Sequence, residues 1–76
     1  MRDEFQTYYK MIGLKVAYYR KLRGFTQERL AEKMGVSTSF IGQIEAANIA
    51  KSISLDTLFR ISEALDTPPH KFLDFT

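Results

Sequence analysis

The sequence contains no cysteine, which removes disulfide bonds, thiolate nucleophiles and cysteine-based zinc sites from consideration. Its single histidine, His70, cannot form a metal site alone. No apolar run approaches the roughly 20 residues that span a bilayer, and the N-terminal stretch MRDEFQTYYK lacks the apolar segment of a signal peptide. The sequence therefore predicts a soluble, cytoplasmic protein that needs no cofactor or metal.

The chain is also short, and this limits what it can do. A chain of 76 residues predicts a single domain over residues 1–76. At this size folding buries only about 60% of the surface that the unfolded chain exposes, so a deep catalytic pocket is not expected. We see neither a glycine-rich phosphate loop nor a Ser-His-Asp set. With 45% hydrophobic and 26% charged residues, the composition is that of a folded globule and not of a disordered tail. The short length and the missing motifs predict a protein that is not an enzyme.

Proline is confined to Pro68 and Pro69, and no segment alternates as a half-buried strand would. Apolar residues recur at three- and four-residue spacing, which predicts an all-α fold of five helices, the last over residues 68–75. The expected N-caps are Thr26, Ser37 and Ser54. Each of the first four helices is expected to bury one apolar face. These faces are Phe5, Tyr9, Ile12, Val16 and Tyr19 in the first helix, Leu30, Ala31 and Met34 in the second, Phe40, Ile41 and Ile44 in the third, and Leu55, Leu58, Ile61 and Leu65 in the fourth.

Residues 26–46 have the pattern of a helix-turn-helix unit, with two short helices separated by a three-residue turn. Ala31 is small enough for a close helix crossing. Gly35 accepts a positive φ, and Val36 supplies an apolar side chain under the turn. These three properties specify the shape of the unit and not only its helicity.

The net charge of +2 is unevenly distributed along the chain. Residues 10–33 contain seven basic and two acidic residues, whereas residues 45–76 contain three basic and five acidic ones. This asymmetry suits a polyanionic partner that contacts one face. On charge alone, ordinary solvated helix faces explain the pattern equally well.

Over roughly residues 12–73 the sequence resembles the lambda and 434 phage-repressor-like helix-turn-helix family. The resemblance is carried by RKLRGFTQERLAEKMGVS, FIGQIE and SLDTLFRISEAL. It implies a compact five-helix lambda-repressor-like domain, with the C-terminal helices over residues 54–74. It also implies a sequence-specific regulator of transcription, in particular a repressor that binds double-stranded DNA as a homodimer on a palindromic operator.

In such a family member the third helix is the recognition helix, which enters the major groove. Short neutral side chains let a helix backbone approach the bases closely. Gln43 can form a bidentate pair with adenine, and Thr38 offers a hydroxyl and a methyl group. The alternative is a simple hydrophilic helix face. The predicted base-contacting residues are Thr38, Ser39, Gly42, Gln43 and Ala46.

Phosphate contacts are expected from helix N-termini and flanking loops, where free backbone N–H groups favour an anion. Gln27 matches the phosphate-contacting glutamine of the family. The connection after Glu45 is about two residues longer than the common family pattern. The predicted phosphate-contacting residues are Thr26, Gln27, Ser37, Asn48, Lys51 and Ser52.

Arg20 and Glu45 occupy positions that are paired in the family. The resemblance implies a partly buried ion pair that sets the orientation of the recognition helix. The alternative is an exposed pair of little energetic weight.

The chain has more aromatic residues than one small core can enclose. Phe72, Leu73 and Phe75 are the first candidates for a dimer interface, and Leu14 and Tyr18 are the second. Core packing is an equal alternative for Phe72 and Leu73. An alternative function is a protein-interaction module of the same fold, such as an antitoxin or a transcription-bridging factor, in which DNA binding is secondary.

Overall fold

The computed structural model describes residues 3–76, which form four α-helices and two short 3-10 helices. No residue in this range is in a β-strand, so the predicted all-α class is confirmed. Within the same range no helix is both long and apolar enough to cross a membrane. The α-helices are α1 (Gln6–Leu22), α2 (Gln27–Met34), α3 (Thr38–Glu45) and α4 (Leu55–Ala64), and the 3-10 helices are Asp3–Phe5 and Pro69–Leu73.

Helix starts follow the predicted N-caps. In each of α2, α3 and α4 the hydroxyl oxygen of the capping residue accepts a hydrogen bond from the backbone N–H three residues later. The three capping bonds are Arg29 N to Thr26 Oγ1 at 3.0 Å, Phe40 N to Ser37 Oγ at 3.1 Å, and Thr57 N to Ser54 Oγ at 3.1 Å. These caps satisfy backbone donors that have no partner within the helix.

Gly35 ends α2 in the left-handed conformation, with φ of 69°. Its backbone N–H is bonded to Ala31 and Glu32 carbonyl oxygens, which terminates the helix and starts the turn. Val36 then donates its N–H to the Ala31 carbonyl oxygen at 3.0 Å. The turn therefore has the geometry that the glycine predicts.

The core is one apolar cluster to which all four α-helices contribute. Helix α2 packs against α3 and α4, while α1 packs against α3 and the second 3-10 helix. Burying one large aliphatic or aromatic side chain stabilises a fold by about 1.5 to 3 kcal/mol. The buried apolar side chains are Ile12, Val16, Leu30, Ala31, Met34, Ile41, Ile44, Leu58, Ile61, Leu65 and Phe72.

The prediction of a fifth α-helix is wrong, because the segment forms a different type of helix. Residues Pro69–Leu73 form a 3-10 helix, in which Lys71 donates its N–H to the Pro68 carbonyl oxygen at 3.1 Å. Two consecutive prolines lack backbone N–H groups, and so short a segment favours the tighter helix. Its Phe72 side chain is fully buried, so the assignment of Phe72 to a dimer interface is also wrong.

Two further apolar residues lie outside the predicted helix faces. Leu55 was expected on the inner face of α4, but its side chain is 63% exposed. It is the first residue of that helix and lies at the rim of a surface cavity, where the neighbouring helices do not cover it. Phe5, expected on the stripe of the first helix, lies in the 3-10 segment before α1 and is half exposed.

Candidate nucleic-acid interface

Helix α3 rests closely on α1 because of a glycine that the sequence analysis did not single out. Gly13 is buried in α1, and a Cβ atom at this position would overlap the backbone carbonyl oxygen of Ile44. Only a residue without a side chain allows the C-terminal turn of α3 to approach so closely. Spacing could not identify this contact, because Gly13 and Ile44 lie far apart in the sequence.

The same end of α3 is held by a hydrogen-bonded network around Glu45. Arg20 donates from Nε to Glu45 Oε2 at 2.7 Å and from Nη2 to Glu45 Oε1 at 2.9 Å. Its remaining nitrogen, Nη1, donates to the Phe25 carbonyl oxygen at 2.7 Å. The two side chains are only 9% and 5% exposed. This bidentate pair therefore joins α1, the α1–α2 turn and α3 at one point.

Gln27 extends this network to the start of α2. Its Nε2 donates to Glu45 Oε1 at 3.1 Å. Its Oε1 lies opposite Gly42, where an added Cβ would be 3.8 Å away, an ordinary contact distance. A carboxamide nitrogen carries two N–H groups, so the bond to Glu45 leaves the second able to bind another acceptor.

The outer face of α3 carries the predicted base-contacting residues. Thr38, Ser39 and Gln43 are exposed, whereas Gly42 and Ala46 are half-buried. The opposite face holds Ile41 and Ile44, which are buried in the core and fix the rotation of the helix about its axis. The structure thus brings these five residues together on one side of α3 and its C-cap. No basic residue interrupts this face.

The predicted phosphate-contacting residues divide into two groups. Thr26 and Ser37 use their hydroxyl oxygens as N-caps, which leaves the hydroxyl hydrogens able to donate. Asn48 and Ser52 are exposed in the connection between α3 and α4. In the same connection Lys51 is half-buried, with Nζ 5.5 Å from the centroid of the Phe40 ring. One group thus lies at the N-termini of α2 and α3, and the other lies in the connection that follows α3.

One of the basic residues in the range 10–33, Arg23, has a structural role that the sequence did not reveal. Arg23 donates from Nε to the Leu65 carbonyl oxygen and from Nη2 to the Asp66 carbonyl oxygen, both at 2.8 Å. It thereby satisfies backbone acceptors at the C-terminal end of α4. Asp66 adopts a left-handed conformation there, with φ of 49°. The cation thus ties the end of α1 to the end of α4.

Comparisons with known proteins also identify a helix-turn-helix domain in this chain. The HTH_3 family model, described as Helix-turn-helix, matches residues 16–72. The chain is 39% identical over 64 residues to the HTH-type transcriptional regulator SinR of Bacillus subtilis (strain 168), a match that covers 84% of this chain and 57% of SinR. The chain therefore spans little more than half the length of that relative.

Solved structures of similar proteins share the fold. A crystal structure of SinR, the master regulator for biofilm formation, in complex with DNA superposes with a TM-score of 0.75 at 38% identity. It covers 83% of this chain and 98% of the SinR chain in that structure. The restriction-modification controller protein C.AhdI from Aeromonas hydrophila gives a TM-score of 0.75 at 27% identity, covering 83% of this chain and 92% of the other.

Proposed function

Because this chain belongs to the HTH_3 helix-turn-helix family, we propose that it is a transcriptional regulator that binds double-stranded DNA sequence-specifically. The observation that carries the proposal is the outer face of α3, where short uncharged polar side chains are exposed opposite a buried apolar face. A major groove about 12 Å wide admits one such helix. The SinR complex supports the proposal, since SinR binds DNA with a domain of the same fold.

In this proposal Gln43 and Thr38 read base edges, with Ser39, Gly42 and Ala46 close to the groove floor. Glutamine suits adenine, because its carboxamide matches the N6 donor and N7 acceptor. The second N–H of Gln27, the N-termini of α2 and α3 and the α3–α4 connection contact phosphates, which fixes the register of the helix.

We further propose that the protein acts as a homodimer and as a repressor on a palindromic operator, in the compartment that holds the DNA, the cytoplasm. Half-sites in such operators lie about 34 Å apart. The Cα trace measures 31 × 25 × 20 Å, so two adjoining copies are of the right size to place their recognition helices at that spacing. The relatives named above are regulators, and the proposal includes no catalysis.

Selection of bound fragments from random duplex DNA tests the proposal most directly. We expect a palindromic product whose affinity falls with salt, with a log–log slope of about −0.9 per phosphate neutralised. Gln43→Ala and Thr38→Ala should each weaken binding by about 1 to 3 kcal/mol and relax the preference at one base position.

Thr7→Ala is the matched control, because Thr7 is an exposed threonine near the start of α1 and is not among the predicted DNA contacts. It should bind as tightly as the wild type. Absence of binding to any duplex at low salt would contradict the proposal. The protein-interaction module would then be the better reading, supported by the exposed apolar cavity beside Leu55 and Leu73.

A further inference from the structure

Lys51 lies in the connection between α3 and α4, yet its ammonium group is not free in solvent. It lies 5.5 Å from the centroid of the Phe40 ring, a distance at which a cation is attracted by the face of an aromatic ring. Phe40 belongs to α3 and packs partly against the core, which holds the ring in place. The contact therefore keeps one positive charge against the side of α3.

This charge matters because α3 has no basic residue of its own. The single charged residue of the helix is Glu45, whose carboxylate is already bonded by Arg20 and Gln27. A DNA groove is bordered by phosphates on both sides, so a helix without cations relies on neighbouring segments for charge neutralisation.

We propose that Phe40 is a positioning residue for DNA binding, whose ring holds the Lys51 ammonium group beside α3 for contact with a backbone phosphate. This inference rests on the proposed function, in which α3 enters the major groove. A lysine that is held in place before binding loses less side-chain freedom when the complex forms. Phe40 thus contributes to DNA affinity through Lys51 and not by touching the DNA.

A second cation–π pair in the chain provides a control. Lys33 lies 5.0 Å from the centroid of the Phe25 ring. Lys33 also lines a surface cavity with Arg60 and Glu63 of α4, and no residue of α3 lines that cavity. Lys33→Met therefore removes the same charge and the same type of contact on a different side of the protein.

A double-mutant cycle in DNA affinity tests the proposal. Lys51→Met should weaken binding and reduce the salt slope by about 0.9, the contribution of one phosphate. Phe40→Leu should weaken binding by about two- to fivefold, the value of a cation–π contact at an exposed site. In the Lys51→Met background, Phe40→Leu should have no further effect. Phe40→Tyr keeps the ring and should retain wild-type affinity.

NMR of the free protein gives a readout that does not depend on DNA. The ε-methylene protons of Lys51 should show a ring-current shift that disappears in Phe40→Leu and persists in Phe40→Tyr. Folding of every variant is checked by circular dichroism. If Phe40→Leu does not fold, two other measurements test the proposal. They are the salt slope of Lys51→Met, a variant that leaves the core intact, and the ring-current shift of Lys51 in Phe40→Tyr.

Additive effects of Phe40→Leu and Lys51→Met, or a salt slope that Lys33→Met changes as much as Lys51→Met, would overturn this inference while DNA binding by the wild type stands. If the wild type binds no duplex, the proposed function fails and this inference fails with it. The Lys51 ring-current shift alone would then report only a structural contact.

Discussion

Gly13 and Gly42 are both helical glycines, but they differ in what a side chain at each position would meet. At Gly13 a methyl group would collide with the backbone of α3. At Gly42 it would meet only Gln27 Oε1, at an ordinary 3.8 Å. The packing of the chain therefore requires a glycine at position 13 and not at position 42, although glycine within a helix costs about 1 kcal/mol relative to alanine.

We expect Gly42→Ala to raise the free energy of unfolding by about 1 kcal/mol, because alanine is the better helix former. We also expect it to weaken DNA binding, since the glycine lies on the outer face of α3, which the proposed function places in the groove. Urea unfolding and DNA titration measure the two effects. A gain in stability with unchanged affinity would show that the glycine has no task in binding.

Gly13→Ala is the contrasting variant. It should lower the free energy of unfolding by about 1 to 3 kcal/mol, the usual cost of overpacking. Because the collision is with the backbone of α3, that helix must shift. Equal stability of Gly13→Ala and the wild type would contradict the close approach of α1 and α3.

At the scale of elements, the orientation of α3 depends on its two ends. Ser37 caps its N-terminus, and Ile41 and Ile44 fix its rotation. At the C-terminal end Glu45 is joined to α1 by Arg20 and to α2 by Gln27. A buried ion pair adds little net stability compared with an apolar pair, so the network serves chiefly to fix where α3 lies.

Arg20→Met should lower the free energy of unfolding by about 3 kcal/mol, because it leaves the Glu45 carboxylate buried with only Gln27 as partner. Urea denaturation measures this loss. DNA affinity should fall as well, since α3 loses its link to α1.

The control is Arg29→Met, which removes an exposed ion pair between Arg29 and Glu32 with a 3.8 Å separation. Such pairs contribute about 0 to 1 kcal/mol. If both variants lost the same stability, the network around Glu45 would have no special role.

At the scale of the whole molecule, one surface carries an apolar cavity. A cavity of about 420 Å³ lies between α1, the start of α4 and the C-terminal segment. It is lined by apolar side chains and Ser54, without a charged residue and without a residue of α2 or α3. Two identical copies can therefore meet here without like-charge repulsion while α3 stays free.

One charged residue is adjacent in the sequence to two residues that line this cavity. Asp74 lies between Leu73 and Phe75 in the sequence and is exposed. Hydrogen bonds from the Thr76 side chain and backbone lower the pKa of the Asp74 carboxyl below its ordinary 3.8. Dimer formation through this face should leave Asp74 at the edge, as is usual for charges at interfaces.

If the proposed homodimer forms through this face, Leu55→Lys and Leu73→Lys should each convert it to a monomer and weaken DNA binding, because the lysine would bring like charges together across the interface. Both side chains are exposed in the single chain, at 63% and 47%, so the fold should persist. Sedimentation velocity measures the oligomeric state. Leu22→Lys, at an equally exposed leucine of α1, is the control. A monomer produced only by Leu22→Lys would place the interface on the exposed face of α1 that carries Leu14 and Tyr18.

The sequence by itself determined the all-α class, the caps at Thr26, Ser37 and Ser54 and the left-handed turn at Gly35. These features depend on local chemistry, namely the spacing of apolar residues, N-capping by hydroxyl side chains and the conformational freedom of glycine. The grouping of short polar residues on α3 followed from the same period.

Only the tertiary structure decided the features that depend on residues distant in the chain. These include the close approach of Gly13 to Ile44, the bond from Arg23 to Leu65, and the burial of Phe72 together with the exposure of Leu55. Sequence period shows which face of a helix is apolar, but not which neighbour covers it or where that neighbour ends. The contacts that place α3, and the apolar surface left uncovered, arise only when the helices pack.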